Sequence, residues 1–200
     1  IMDWSAKNFV EKFLEIGFDI SKGPIKIIKI INKGSFEDGS KYISIEPLEK
    51  DLIIDFEIIF NNPLIRTRRK KIKFSDGDLN SIYNSKTFCL YEDIDKIKSL
   101  GLAKGGSLEN AIVVKENKIL NDDGLRYRDE FVNHKILDLA GDFMLAGMRI
   151  IGSVSCMHGG HLLTNEFLKK LLSNKDNFVI FESLEHKSNL KKLTTNQKRI

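Results

Sequence analysis

The chain has 200 residues, 42% of them hydrophobic, with 32 Lys and Arg against 28 Asp and Glu and a net charge of +4. That length and apolar share suffice for a folded domain without disulfides or structural metals, and they exclude a disordered chain. Three prolines exclude a Pro-rich architecture, no apolar run reaches the ~20 residues of a membrane span, and two cysteines, Cys89 and Cys156, make no disulfide framework, so a reducing cytoplasm is expected.

In chain order, residues 5–16 read as a helix. Ser5 stands at the N-cap position, Phe9, Val10, Phe13 and Leu14 share one face, and Gly17 follows at C′. Four strands are expected next, at 25–31, 41–46, 52–60 and 65–74, rich in isoleucine and punctuated by Asp38-Gly39 and Asn61-Asn62-Pro63. They read as an antiparallel meander. After Ser75 the pattern changes to a short helix at 78–84, a strand at 86–90, a helix at 93–100 stopped by Gly101, and a strand at 111–115. Residues 86–115 therefore form a small β-α-β insert. The turn Asn121-Asp122-Asp123-Gly124 leads to the longest helix, about 129–146, then a strand at 149–155, an amphipathic helix at 160–172 and an edge strand at 177–181. Strands followed by helices predict α+β: a two-layer sandwich of a mainly antiparallel sheet packed by helices.

Charge is patterned along this order. The segment 66–73 carries +6 and the tail 186–200 carries +5, leaving −7 for the rest of the net +4. The basic segment can touch phosphates, but it equally suits an edge strand whose cations block edge-to-edge pairing. The tail, with few large apolar residues, is expected to be mobile.

Three clusters carry chemistry. On the long helix, His134 and Asp138 are one turn apart on one face, and Asp142 is a further turn along. An imidazole and a carboxylate at that spacing can reach one ion, and nitrogen with oxygen ligands suits zinc. The bland alternative is a solvated or salt-bridged pair. Between a strand and a helix lies Cys156-Met-His-Gly-Gly-His161, whose glycines present amides at a helix N-terminus and whose His161 can serve as acid or base, or merely cap its helix. Third is the turn Gly105-Gly106-Ser107, which can cradle a phosphate but lacks the Lys-Ser/Thr of a Walker loop.

Taken together and in order, these segments are more specific than any one. S-K-T-F at 85–88, G-L-A-K-G-G-S-L-E-N-A-I-V-V at 101–114, L-N-D-D-G-L-R-Y-R-D-E-F-V-N-H-K-I-L-D-L-A-G-D at 120–142 and G-G-H-L-L-T-N at 159–165 resemble the C-terminal domain of the LpxC family, the UDP-3-O-acyl-N-acetylglucosamine deacetylases of lipid A biosynthesis. The resemblance runs from Ile1 to about Leu172. It implies that residues 1–20 are the last helix of a first domain, that 21–182 are a C-terminal catalytic domain with insert 86–115, and that 183–200 are a basic tail.

The resemblance further implies a zinc amidohydrolase releasing acetate from a UDP-linked acylated glucosamine. His134 and Asp138 would be two of three ligands to Zn2+. His161 would be the catalytic histidine, Asp142 the carboxylate that orients it, and Thr87 the hydroxyl beside the oxyanion. Lys135 would lie near the sugar–diphosphate and Phe88 near the acetyl group, with Asp55 and Phe56 around the uridine. Leu90, Ile94, Ala103, Ala111 and Val113 would line a passage for the acyl chain, with Gly106 and Ser107 as further substrate contacts. It implies no nucleic-acid partner, transient contact with the inner-membrane surface, and a monomer when complete.

The sequence departs from the family pattern at His158, where a basic residue is usual, at Asn62-Pro63 for a usual His-Pro, and at Trp4 for a common Gly. The family's third zinc-ligand histidine and the general-base glutamate before it are expected upstream of Ile1. The Glu185-His186 pair in the tail is read as coincidence. Two other readings stand beside the deacetylase: a non-enzymatic remnant of a split or truncated gene, and a basic module for RNA or a membrane surface.

Overall fold

Isoleucine-rich segments and one long amphipathic helix dominate the computed structural model, which describes residues 3–19, 22–75 and 79–184. The main sheet contains β1 (Ile25–Ile30), β2 (Gly34–Asp38), β3 (Lys41–Glu46), β4 (Leu52–Ile58), β5 (Arg68–Lys73), β9 (Arg149–Met157) and β10 (Phe178–Ser183). Strand β9 organises it. Its first residues run parallel to β1, and its later ones lie between β3, antiparallel, and β4, parallel. β10 flanks β1, β2 flanks β3 and β5 flanks β4, all antiparallel.

The sheet is thus mainly antiparallel, as the α+β reading expects, but the expected meander is corrected. β3 and β4 do not pair with each other; β9, distant in sequence, separates them. The physical reason lies in β9 itself, where Ile150, Ile151, Val154 and Cys156 are all buried. Side chains buried on both faces suit an interior strand. Sequence neighbours pair often but not by necessity. The hairpin strand β2, polar and half exposed, was not expected from periodicity.

One face of the sheet carries α4 (Glu130–Phe143) and α5 (His161–Ser173). On α4, Val132, Ile136, Leu139 and Phe143 recur at helical spacing and are all buried. They meet Phe167, Leu168 and Leu171 of α5 over the isoleucines of β1, β3 and β4. α5 approaches β2 closely at Gly34, where a Cβ would stand 2.7 Å from Leu171 Cδ1. After α4 the chain makes a 3-10 turn and stops at Gly147, whose φ of 71° is left-handed.

The insert is a second sheet, β6 (Phe88–Leu90), β7 (Ile112–Lys115) and β8 (Lys118–Ile119), with α3 (Ile94–Ser99) between the first two. β6 and β7 are parallel, so the β-α-β unit forms as expected, and β8 extends it past residue 115. The short α2 (Leu79–Tyr83) precedes it. Helix α1 (Lys7–Ile16) is held at its start, where the Ala6 N–H donates to Tyr83 O at 2.9 Å, while Phe9, Phe13 and Ile16 stay exposed among the described residues. Ala6, not Ser5, is its N-cap, and Ser5 Oγ accepts from the Lys7 N–H at 3.2 Å.

No helix among the described residues is long and apolar enough to cross a membrane. The mobility expected for the tail concerns residues of which 185–200 lie outside those described.

Candidate active site

Helix α4 places His134, Asp138 and Asp142 at successive turns beside its buried stripe, and the N-terminus of α5 brings His161 against them. His134 Nδ1 lies 3.1 Å from the carbonyl oxygen of Ser85. A carbonyl only accepts, so Nδ1 carries the proton. The other ring nitrogen, Nε2, stands 3.3 Å from Asp138 Oδ1. His134 is only 7% exposed, and burial pushes its pKa below the usual value, favouring the neutral ring. In the neutral Nδ1–H tautomer an Nε2 lone pair faces a carboxylate oxygen. Both are electron-rich, and a shared cation satisfies both. This donor pair fits zinc.

Asp142 accepts from His161 Nδ1 with both oxygens, at 2.9 and 3.0 Å. That contact fixes the His161 tautomer and leaves Nε2 pointing on, 4.0 Å from Asp138 Oδ1. Asp142 is largely buried while His161 is 68% exposed in its side chain, so the ring is open to a substrate. Behind it, Gly159 turns under the site. A Cβ there would collide with Cys156 Sγ and press on Phe56, which explains one glycine of the Gly-Gly pair by close packing. Cys156 is buried and its thiol is pushed up to about 12, chiefly by desolvation, so it is no nucleophile.

Two cavities share the wall formed by Thr87 and Phe88. The larger, about 350 Å³, is walled by Thr87, Phe88, Ile94, Ala103, Gly106, Ser107, Ala111 and Val113, together with Trp4, Cys89, Tyr91, Ile97, Lys98, Leu108 and Leu120. Every residue expected along an acyl passage except Leu90 lies there. Leu90 instead lines the second cavity, about 280 Å³, with Thr87, Phe88, Phe60, Lys41, Lys135 and His158. Phe88 belongs to both and stacks edge-on against Phe60 and Phe131. Lys135 reaches the second cavity but also donates to Asp138 Oδ2 at 2.8 Å.

Other expectations separate from the site. Phe56 is 2% exposed in the core, so a uridine contact through its side chain is corrected. Asp55 accepts from Nε and Nη2 of Arg69, each at 2.8 Å, and Arg69 holds its carboxyl below the usual range. The basic segment is the edge strand β5. Arg68 pairs with Asp129, Arg69 with Asp55, Lys70 with Asn133 and Lys73 with Asp51. Its cations are largely engaged within the protein.

Among the described residues, no three His, Cys, Asp or Glu side chains form a group able to hold a metal. Sequence reasoning missed the Ser85 carbonyl, a backbone group with no residue signature, and Lys41, which joins Lys135 and His158 only through the β3–β9 register.

Known proteins bear directly on this geometry. The family model described as LpxC, UDP-3-O-acyl N-acetylglycosamine deacetylase, matches residues 1–173. The chain is 38% identical over 190 residues to the UDP-3-O-acyl-N-acetylglucosamine deacetylase of Haemophilus ducreyi, covering 92% of this chain and 62% of that protein. It is 40% identical to the like-named protein of Actinobacillus pleuropneumoniae serotype 3, with the same coverage. That of Nitratiruptor sp. is 40% identical over 184 residues, 92% of this chain and 61% of the relative. The chain thus spans about three-fifths of the length of these relatives. With a family match over most of its residues and relatives at this identity, the chain belongs to the LpxC family.

Proposed function

We propose that this chain supplies one half of a zinc-dependent deacetylase site that removes the N-acetyl group from UDP-3-O-acyl-N-acetylglucosamine in lipid A biosynthesis. The observation that carries the reading is the placement of His134 Nε2 and Asp138 Oδ1 3.3 Å apart on one face of α4. His134 and Asp138 would hold the metal. Zinc bound there supplies a Lewis acid for the amide carbonyl and lowers the pKa of a bound water.

The chain's own groups do the rest. His161, with Nδ1–H committed to Asp142, presents Nε2 to hand a proton to the departing amine. Asp142 holds that ring in orientation and stabilises its cationic form. The Thr87 hydroxyl, at the junction of both cavities, donates to the developing oxyanion. The apolar cavity takes the acyl tail at about 0.8 kcal/mol per buried methylene. The second cavity, with Lys41, Lys135 and His158, suits the sugar–diphosphate.

The third ligand and the general base belong, in this reading, to the part of the relatives' length that the chain does not span. The reading carries with it a cytoplasmic, monomeric complete protein that touches the inner membrane transiently to reach its acylated substrate. The test is acetate release from UDP-3-O-acyl-N-acetylglucosamine. The 200-residue chain alone is expected to show none above background, and a complete protein containing it to show turnover that His161→Ala lowers by about 10²–10⁴-fold. A complete protein inactive with zinc bound would favour the non-enzymatic remnant instead.

A further inference from the structure

The polar stripe of α4 has a member that the proposed chemistry does not use. Glu130 lies one turn before His134, at the spacing that separates His134, Asp138 and Asp142. It is fully buried, with 0% exposure. A buried carboxylate is costly unless its oxygens are saturated. Here they are taken by two backbone amides: Lys86 N–H donates to Oε1 at 2.9 Å and Arg126 N–H to Oε2 at 2.5 Å. The side chains of those two residues go elsewhere. Lys86 Nζ pairs with Asp123 at 2.7 Å, and Arg126 donates to Asn84 O at 2.8 Å and to Asp3 at 2.6 Å.

The amide of Lys86 sits in the segment that serves the site from beneath. Every residue from 83 to 87 is tied by a backbone atom. Tyr83 O accepts from Ala6, Asn84 O from Arg126, Ser85 O from His134, and Thr87 O from the Ile112 N–H at 2.8 Å. Lys86 is tied through Glu130. Helix α4 therefore carries both the imidazole and the clamp for the carbonyl that sets its tautomer. If the segment shifts, Nδ1 loses its acceptor and the proton is free to occupy Nε2, the atom that must be bare to bind a metal.

We propose that Glu130 is a positioning residue: its carboxylate fixes the 84–87 segment so that the Ser85 carbonyl holds His134 in the Nδ1–H tautomer and Thr87 at the cavity junction. The metal-binding consequence rests on the function proposed above; the tautomer does not. Glutamine at this position retains one acceptor but turns an amide N–H2 toward the second backbone N–H, leaving two donors facing each other.

The experiment is a long-range 1H–15N correlation spectrum of the metal-free 200-residue chain near neutral pH, with the His134 signals assigned by their loss in His134→Ala. The wild type should show His134 as one Nδ1–H tautomer. In Glu130→Gln the spectrum should move toward a tautomer mixture, with the His158 and His161 signals unmoved, and zinc affinity by competitive titration should fall about tenfold or more. A folded Glu130→Gln chain with the wild-type His134 pattern overturns the proposal. If Glu130→Gln does not fold, Glu130→Asp, which keeps the charge but is too short to span both amides, is read the same way. An unchanged tautomer there overturns it equally. Failure of the wild type to bind zinc, with the tautomer shift present, would instead count against the metal reading alone.

Discussion

The polar stripe and the insert cavity are built on opposite principles. The stripe is a set of paired side chains at fixed spacing on α4 and α5, its α4 members largely buried and His161 exposed, mutually oriented within 2.8 to 4.0 Å. The cavity is defined by what is small or apolar, with Ala103, Gly106 and Ala111 leaving about 350 Å³ between larger neighbours. The stripe is expected to tolerate little chemical change, because its polar atoms are committed to specific partners. The cavity is expected to tolerate apolar exchanges that keep its volume and to lose its capacity where volume is filled.

The largest break in that comparison is expected at His161. In a complete protein, His161→Ala should lower kcat by about 10²–10⁴-fold with metal content retained, read by steady-state kinetics and metal analysis. The cavity should respond differently. Ala111→Trp fills space without touching His134 or His161, so long-acyl substrate should lose binding by about tenfold or more while kcat changes little. A KM-against-kcat comparison for long- and short-acyl substrates separates the two regions.

How far these regions could be read in advance follows the same division. His134, Asp138 and Asp142 were legible because i, i+4 spacing is a property of any helix, and the helix itself announced its boundaries through apolar periodicity. The insert was legible as β-α-β because its strands are local. Leu90 lines the second cavity and not the first, a placement that depends on the pairing of β6 with β7, which spacing does not reveal. The meander failed for a non-local reason: β9, about a hundred residues downstream in sequence, inserts between β3 and β4. Phe56 was misread as a ligand contact because an aromatic on a central strand faces either the core or the surface by register alone.

A smaller effect distinguishes the two cysteines. Cys156, beneath the stripe, has its thiol pushed up to about 12, leaving roughly one part in ten thousand as thiolate at pH 8. Cys89 lines both cavities and is partly exposed, though burial also raises its pKa. Alkylation followed by mass spectrometry at pH 8 should label Cys89 first and leave Cys156 unmodified until the chain unfolds. The smallest effect lies outside both regions. Asp55 is held below its usual pKa by Arg69, so its contribution to stability is present above the unfolded carboxylate value near 4 and is lost as pH falls through the lower folded value. Asp55→Asn should lower Tm by about 1–3 °C at pH 7 and by less near pH 2.

The central claim, that His134 and Asp138 are metal ligands, is tested most directly by titrating zinc into the 200-residue chain against a chromophoric chelator. The account predicts one weak site, lost in His134→Ala and in Asp138→Ala and kept in His161→Ala. Zinc binding of wild-type strength in His134→Ala would contradict it.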